Sequence, residues 1–239
     1  DFHVRKVMRN YLPNDEESKH FACLLQWDNI YYQEPTEEYI SPKTTVRVGL
    51  VQWQMRSYKT LDDLFEQVEF FVDSVSGYQS DFVLFPEYFN APLMARFNDA
   101  SESQAIRGLA RYTDEIRERF INLAIRYNIN IITGSMPLIK EDGLLYNVGF
   151  LCRRDGTYEM YEKLHVTPDE MKCWGLSGGK AIRTFETDCA KIGVLICYDV
   201  EFPELSRIMA SEGMQILFVP FLTDTQNAYS RVRVCAHAR

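Results

Sequence analysis

From residue 46 onward the chain alternates short apolar runs with stretches of helical period, and this alternation restricts its fold more than any other feature. Residues 46–53 (VRVGLVQW) read as a strand. Residues 60–75 follow, with Leu61, Leu64, Phe65, Val68, Phe71, Val72 and Val75 on one helical face. Thr60 with Asp63 three positions later has the form of an N-terminal capping box, and Gly77 is a stop signal. A short strand is expected at 81–85 (DFVLF). A second long helix is expected over 106–127, its seam formed by Ile106, Leu109, Ile116, Phe120, Leu123 and Tyr127. Further strands are expected at 129–133 and 145–152. A turn at Gly156 leads to a hairpin partner at 158–163, and 181–185 and 191–197 (KIGVLIC) complete this set. Residues 203–212 carry a proline in the first turn of a helix and Gly213 after its end, and 216–220 (ILFVP) is again a strand. Such an order builds an α/β domain with helices layered on sheet faces.

Composition narrows the function classes. The 239 residues are 46% hydrophobic and 25% charged, enough for a sizeable globular core. The net charge of -8, without any basic run, argues against nucleic acid as a partner. No run approaches the roughly 18 apolar residues of a membrane span, and the opening DFHVRK lacks the apolar core of a secretory signal. Cys23, Cys152, Cys173, Cys189, Cys197 and Cys235 are scattered, without paired spacing, which points to a reducing, cytoplasmic setting. Four histidines (His3, His20, His165, His237), none at HxxxH spacing, give no metal site. Gly178-Gly179 alone is no phosphate loop, so no cofactor is implied. Residues 1–43 differ from the rest. A strand-like run at 21–27 is flanked by acidic, proline-bearing text that reads as a linker ending near residue 43. The chain opens without Met and stops inside CAHAR, so a fragment, truncated at its C-terminus, is expected.

Three chemically reactive residues stand at strand ends. Glu87 follows DFVLF within FPEYF, Lys163 ends the strand expected at 158–163, and Cys197 closes KIGVLIC ahead of Tyr198-Asp199. In open α/β sheets functional side chains gather at the carboxyl ends of strands. A thiol must lose its proton to attack a carbonyl or nitrile carbon. A carboxylate can accept that proton, and an ammonium and the N–H of Tyr198 can stabilise the oxyanion that forms. Each residue also has a plain reading: a thiol on an apolar strand is commonly core, a Glu after proline can cap a turn, and lysines are commonly solvated. His165 offers a rival, since Cys–His is the commoner nucleophile–base pair. Tyr88, Phe89, Trp174, Phe221 and Tyr229 could line a pocket, although aromatics are more often core.

Taken together, LFPE (84–87), EKLH (162–165) and GVLICYD (193–199), with FPE after the cysteine, VGLVQ at 48–52 and ITGS at 132–135, resemble the carbon–nitrogen hydrolase (nitrilase) superfamily over residues 46–239. The resemblance implies a four-layer α-β-β-α sandwich, with protomers paired into a homodimer through helices that include 203–212. It implies Glu87 as base, Lys163 as stabiliser of the oxyanion, Cys197 as nucleophile, and Glu170 as a second glutamate near the leaving group or attacking water. Tyr198, Tyr88 and His165 are the companion oxyanion and substrate-binding candidates. The implied activity is hydrolysis of a small-molecule amide through a Cys thioester; nitrile hydrolysis and a catalytically silent scaffold remain as alternatives. The family continues past the position of Arg239 into further strands. The opening residues 4–13 (VRKVMRNYLP) resemble the tail of an acetyltransferase-like domain fused ahead of a nitrilase domain in some bacterial proteins.

Overall fold

The computed structural model describes residues 45–97 and 99–223. The strand expected at 21–27, the linker around it, and Tyr229 lie outside the described residues. The first sheet begins with three parallel strands, β1 (Val48–Leu50), β2 (Phe82–Leu84) and β3 (Asn130–Ile132). Helix α1 (Leu61–Gly77) joins β1 to β2, and helices α2 (Glu102–Leu109) and α3 (Thr113–Arg126) lie between β2 and β3. β4 (Met136–Ile139), β5 (Leu145–Cys152), β6 (Tyr158–Glu162) and β7 (Leu176–Ser177) complete it, in the order β1-β2-β3-β5-β4 with β6 and β7 also on β5. The second sheet is β8 (Thr184–Glu186), β9 (Lys191–Val194) and β10 (Ile216–Phe218), ordered β10-β9-β8. Helix α4 (Pro203–Ser211) makes the crossover that leaves β9 and β10 parallel.

The two-residue period of a strand sorts these side chains into layers. In β2, Val83 joins Leu64, Val68 and Val72 of α1 and Ile116 and Phe120 of α3 in the core on one face. Phe82 points the other way, onto Ile192, Val194 and Phe218 of the second sheet, and its ring centroid lies 5.1 Å from that of Phe218. The far face of the second sheet is covered by Leu205 and Met209 of α4, against Leu195 and Leu217. Helices, sheet, sheet and helix therefore stack as the four-layer sandwich that the sequence implied. Each fully buried Leu, Val or Phe in these layers contributes roughly 1.5–3 kcal/mol.

Several boundaries differ from expectation. The capping box at Thr60 and Asp63 forms as read, with Asp63 N donating to Thr60 Oγ1 at 3.0 Å and Thr60 N to Asp63 Oδ2 at 2.9 Å. α1 ends at Gly77 as read, and the left-handed residue that follows is Gln79 (φ 56°). The long helix expected over 106–127 is two helices separated by a 3-10 turn, Ala110–Tyr112. A second capping box, Ser101 with Gln104, starts α2 early. Thr113, whose buried hydroxyl donates to Pro137 O at 2.6 Å, starts α3 afresh. β4, with a proline inside it, and the two-residue β7 were not expected from the sequence. Of the aromatics offered as pocket lining, Phe89 is core, packed among Trp53, Phe85 and Phe120.

Candidate active site

Glu87, Lys163, Glu170 and Cys197 come together. Glu87 leaves the carboxyl end of β2 on a segment held by close backbone approach. Pro86 O accepts from Ser135 N at 3.3 Å, and Gly134 (φ 70°) passes so near that a Cβ there would meet Pro86 O at 2.0 Å. Only glycine fits that bend between β3 and β4. Lys163 follows β6 directly, and its Nζ lies 2.8 Å from Glu87 Oε1 and 2.8 Å from Glu170 Oε2. Glu170 opens a one-turn π-helix, Glu170–Trp174, a form that recurs at functional sites. Its Oε1 accepts from the Tyr88 hydroxyl at 2.8 Å and its Oε2 from Thr167 N at 2.7 Å. All four side chains are buried.

Cys197 sits where β9 gives way to a 3-10 turn, Cys197–Glu201. Its φ of 45° is left-handed, as is that of Tyr88 (50°). Non-glycine residues keep such a conformation only where the surroundings over-determine it, and the strain concentrates at functional sites. Cys197 N donates to Pro220 O at 3.0 Å, Leu222 N donates to Glu87 Oε2 at 3.1 Å, and the Cys197 thiol faces Leu222 O at 4.0 Å. The backbone after β10 thus closes over the thiol and the carboxylate. The Glu87 carboxylate is also a near neighbour of the thiol and acts on its ionisation. Tyr198 N lies in the first turn of the 3-10 helix, where amide groups have no intrahelical acceptor.

The electrostatics divide the groups by task. Burial, followed by the Glu87 charge, pushes the Cys197 thiol up to about 12, with Lys163 opposing. The proton therefore rests on sulfur, and the thiol needs a base. Burial also raises the Glu87 carboxyl above its ordinary value, against the pull of Lys163, which makes it a better proton acceptor. Glu170 goes the other way: burial raises it, but Lys163, Thr167 and Tyr88 together hold it below the usual carboxylate range. Lys163, despite burial, is raised by its two carboxylates and stays an ammonium.

Two residues of the site escaped sequence reasoning. Asn147, inside the buried strand β5, donates from Nδ2 to Glu87 Oε1 at 3.0 Å and to Glu170 Oε1 at 3.5 Å. Asp199, which the sequence suggested only as a polar neighbour of Cys197, is fully buried and hydrogen-bonded on both oxygens. His165, the rival base, is turned to Asp199, with Nδ1 3.1 Å from Oδ1, and stacks on Phe202 at 3.7 Å between ring centroids. Tyr198 packs edge-on to Phe202, and Tyr88 edge-on to Trp174.

The profile of one known family, described as carbon-nitrogen hydrolase, matches residues 47–235. The chain belongs to the carbon-nitrogen hydrolase family. The probable hydrolase YhcX of Bacillus subtilis is 43% identical over all 239 residues, which span 46% of its length. Omega-amidase NIT2 of Homo sapiens is 32% identical over 188 residues, 74% of this chain and 63% of that protein. The carbon-nitrogen hydrolase chain thus spans about half to under two thirds of these relatives. Among solved structures, Saccharomyces cerevisiae Nit3, of the nitrilase superfamily, superposes with a TM-score of 0.64 at 25% identity, covering 77% of this chain and 67% of that one. An amidase from Nesterenkonia sp. shares the fold, with a TM-score of 0.63 and 23% identity over 76% of this chain and 67% of its own.

Proposed function

We propose that the domain spanning residues 44–239 hydrolyses the carbon–nitrogen bond of a small-molecule amide through a thioester on Cys197. The observation that carries this reading is the Lys163 ammonium, held 2.8 Å from a Glu87 carboxylate that meets the same Leu222 backbone as the Cys197 thiol. Glu87 takes the thiol proton as sulfur bonds to the carbonyl carbon. Lys163 and the Tyr198 N–H stabilise the oxyanion of the tetrahedral intermediate. As the C–N bond breaks, Glu87 passes its proton to the leaving nitrogen, and ammonia or an amine departs. Water then attacks the thioester, Glu87 takes a proton from it, the C–S bond breaks, and that proton returns to sulfur. Glu170, held ionised, keeps Lys163 charged and aimed, and it faces the leaving group or the attacking water. Tyr88 and His165 shape the two sides of the site. An amide is preferred to a nitrile because relatives at 29–32% identity over this region are omega-amidases.

The four free thiols among the described residues, Cys152, Cys173, Cys189 and Cys197, suit a reducing, cytoplasmic compartment. A homodimer would use the outer face of α4, where Ile208 is exposed. Residues 1–43 are read as lying outside the hydrolase domain, on their acetyltransferase-like opening; the alignment with the Bacillus subtilis relative extends through them, whereas the family profile begins at residue 47.

The test is ammonia release from a panel of amides, carbamoyl compounds and nitriles, followed by mass-spectrometric trapping of an acyl group on Cys197. Cys197→Ala should abolish release and the adduct together; full release by that variant overturns the reading. Iodoacetamide should modify the buried Cys197 only with the help of Glu87, so Glu87→Gln should slow labelling at Cys197 and leave the exposed Cys173 unchanged; labelling of Cys197 that does not depend on Glu87 would favour a silent scaffold.

A further inference from the structure

Lys163 and Cys197 belong to different sheets, yet the reaction proposed above needs them in fixed register. Packing between sheet faces is non-directional and does not fix two strand ends to a fraction of an ångström. Asp199 supplies a directional link. Its Oδ2 accepts from Leu164 N at 3.1 Å and from Ile196 N at 3.2 Å. Its Oδ1 accepts from His165 N at 2.7 Å and faces His165 Nδ1 at 3.1 Å. The acceptors are thus shared between the residues immediately after Lys163, beyond the end of β6, and the residue immediately before Cys197, beyond the end of β9. The carboxylate itself lies two positions past the thiol, within the 3-10 turn, and is fully buried.

From this arrangement we infer that Asp199 is a positioning residue: one buried carboxylate clamps the Lys163 strand end to the Cys197 turn and holds the left-handed backbone of Cys197 in place. The chemistry requires an acid here and not an amide. Both oxygens face donors, three of them backbone N–H groups that cannot turn away. An asparagine would have to point its NH2 at one of these sets whichever way it was flipped, leaving buried donors opposed. The Cys197 φ of 45° then loses one of the contacts that over-determine it. His165, stacked on Phe202, closes the clamp from the solvent side, since its side chain is part-exposed while Asp199 is not.

The inference rests on the amidase reading for its kinetic consequence but not for its geometry, and the two are tested separately. Amide hydrogen exchange reads the clamp without any substrate. In the wild-type chain, Leu164, His165 and Ile196 should show protection within about tenfold of one another, because a single group secures all three. In Asp199→Asn they should lose protection together. Protection that differs more widely in the wild type, or that falls in only one of the two segments in the variant, overturns the clamp even if the variant folds poorly. For the kinetic arm, Asp199→Asn should lower kcat about 100-fold, the cost of a small misplacement. KM should stay within about threefold, and the melting temperature should fall by only about 2–8 °C, leaving the variant folded at the assay temperature. His165→Gln, which keeps the backbone donors, should cost less than a tenth of that. Loss of kcat only in proportion to loss of folded protein, or equal losses for the two variants, would also overturn the positioning role. A wild type that cleaves no amide would sink the amidase reading and leave the exchange result standing.

Discussion

Glu87 and Glu170 share one ammonium, both are buried, and both touch Asn147, yet they are driven in opposite directions. The partners explain the difference. Glu170 receives Lys163, the Tyr88 hydroxyl and Thr167 N, all of which favour its ionised form, with burial the opposing influence. Glu87 is the more deeply buried and feels the like charge of Glu170, and these two outweigh the pull of Lys163. One carboxylate is thereby held ionised, while the other is made easier to protonate. Pairs of titratable groups pushed apart by their surroundings are how a site assigns acid–base roles. The contrast teaches that a salt bridge to Lys163 does not by itself set the direction in which a carboxyl is driven.

If that division holds, Glu87→Gln should be the most damaging change on this side of the site. It should lower kcat by about 10²–10⁴-fold, the usual worth of a general base, while Glu170→Gln should cost about tenfold to a hundredfold less than this. Equal losses in ammonia release would break the comparison. Lys163→Met should act on stability as well as rate. It leaves two buried carboxylates facing each other without a counter-charge, which should cost about 3–5 kcal/mol in urea unfolding. Adding Glu170→Gln to that variant should restore part of the loss, because it removes one of the two uncompensated charges. Additive losses would mean the two charges do not sense each other.

Much of this was legible in the sequence, for a physical reason. Glu87 and Cys197 each follow an apolar run that a single strand explains, and Lys163 follows the hairpin strand after the Gly156 turn, so their address could be read locally. Asn147 could not be found this way: it sits within LYNVGFLC, every residue of which is buried, and it meets Glu87 across 60 residues of chain. Asp199 was visible as a polar residue, but its work depends on Leu164 and His165, some 35 positions away. The split of the long helix turned on tertiary contacts as well, since a buried hydrogen bond from Thr113 to Pro137, in a strand that a proline disguised, has no local signature. Layers and strand ends follow from period and punctuation; the residues that tie one layer to another do not.

The pH profile sharpens the comparison further. A base with a raised pKa must be ionised to act, so kcat/KM should fall as pH drops through a value above the ordinary 4.5 of a glutamate. The charge on Glu170 is one of the causes of that elevation. Glu170→Gln should therefore move the acid limb to lower pH. A limb that stays put, or rises, would show that Glu170 acts on Glu87 only through Lys163.

The smallest expected effect is on Tyr88. Its hydroxyl donates to Glu170 and contributes to the lowering of that carboxyl. Tyr88→Phe should cost about 1.5 kcal/mol at neutral pH, the worth of a hydrogen bond to a charged group. The sign of its pH dependence is fixed by linkage. Glu170 is depressed in the folded state, so the stability it contributes is present above its unfolded value of about 4.5 and is lost as pH falls through its folded value. The gap between wild type and Tyr88→Phe in urea unfolding should accordingly be widest near neutrality and close below pH 4.5. A gap independent of pH would assign Tyr88 to packing against Trp174 and not to the charge it touches.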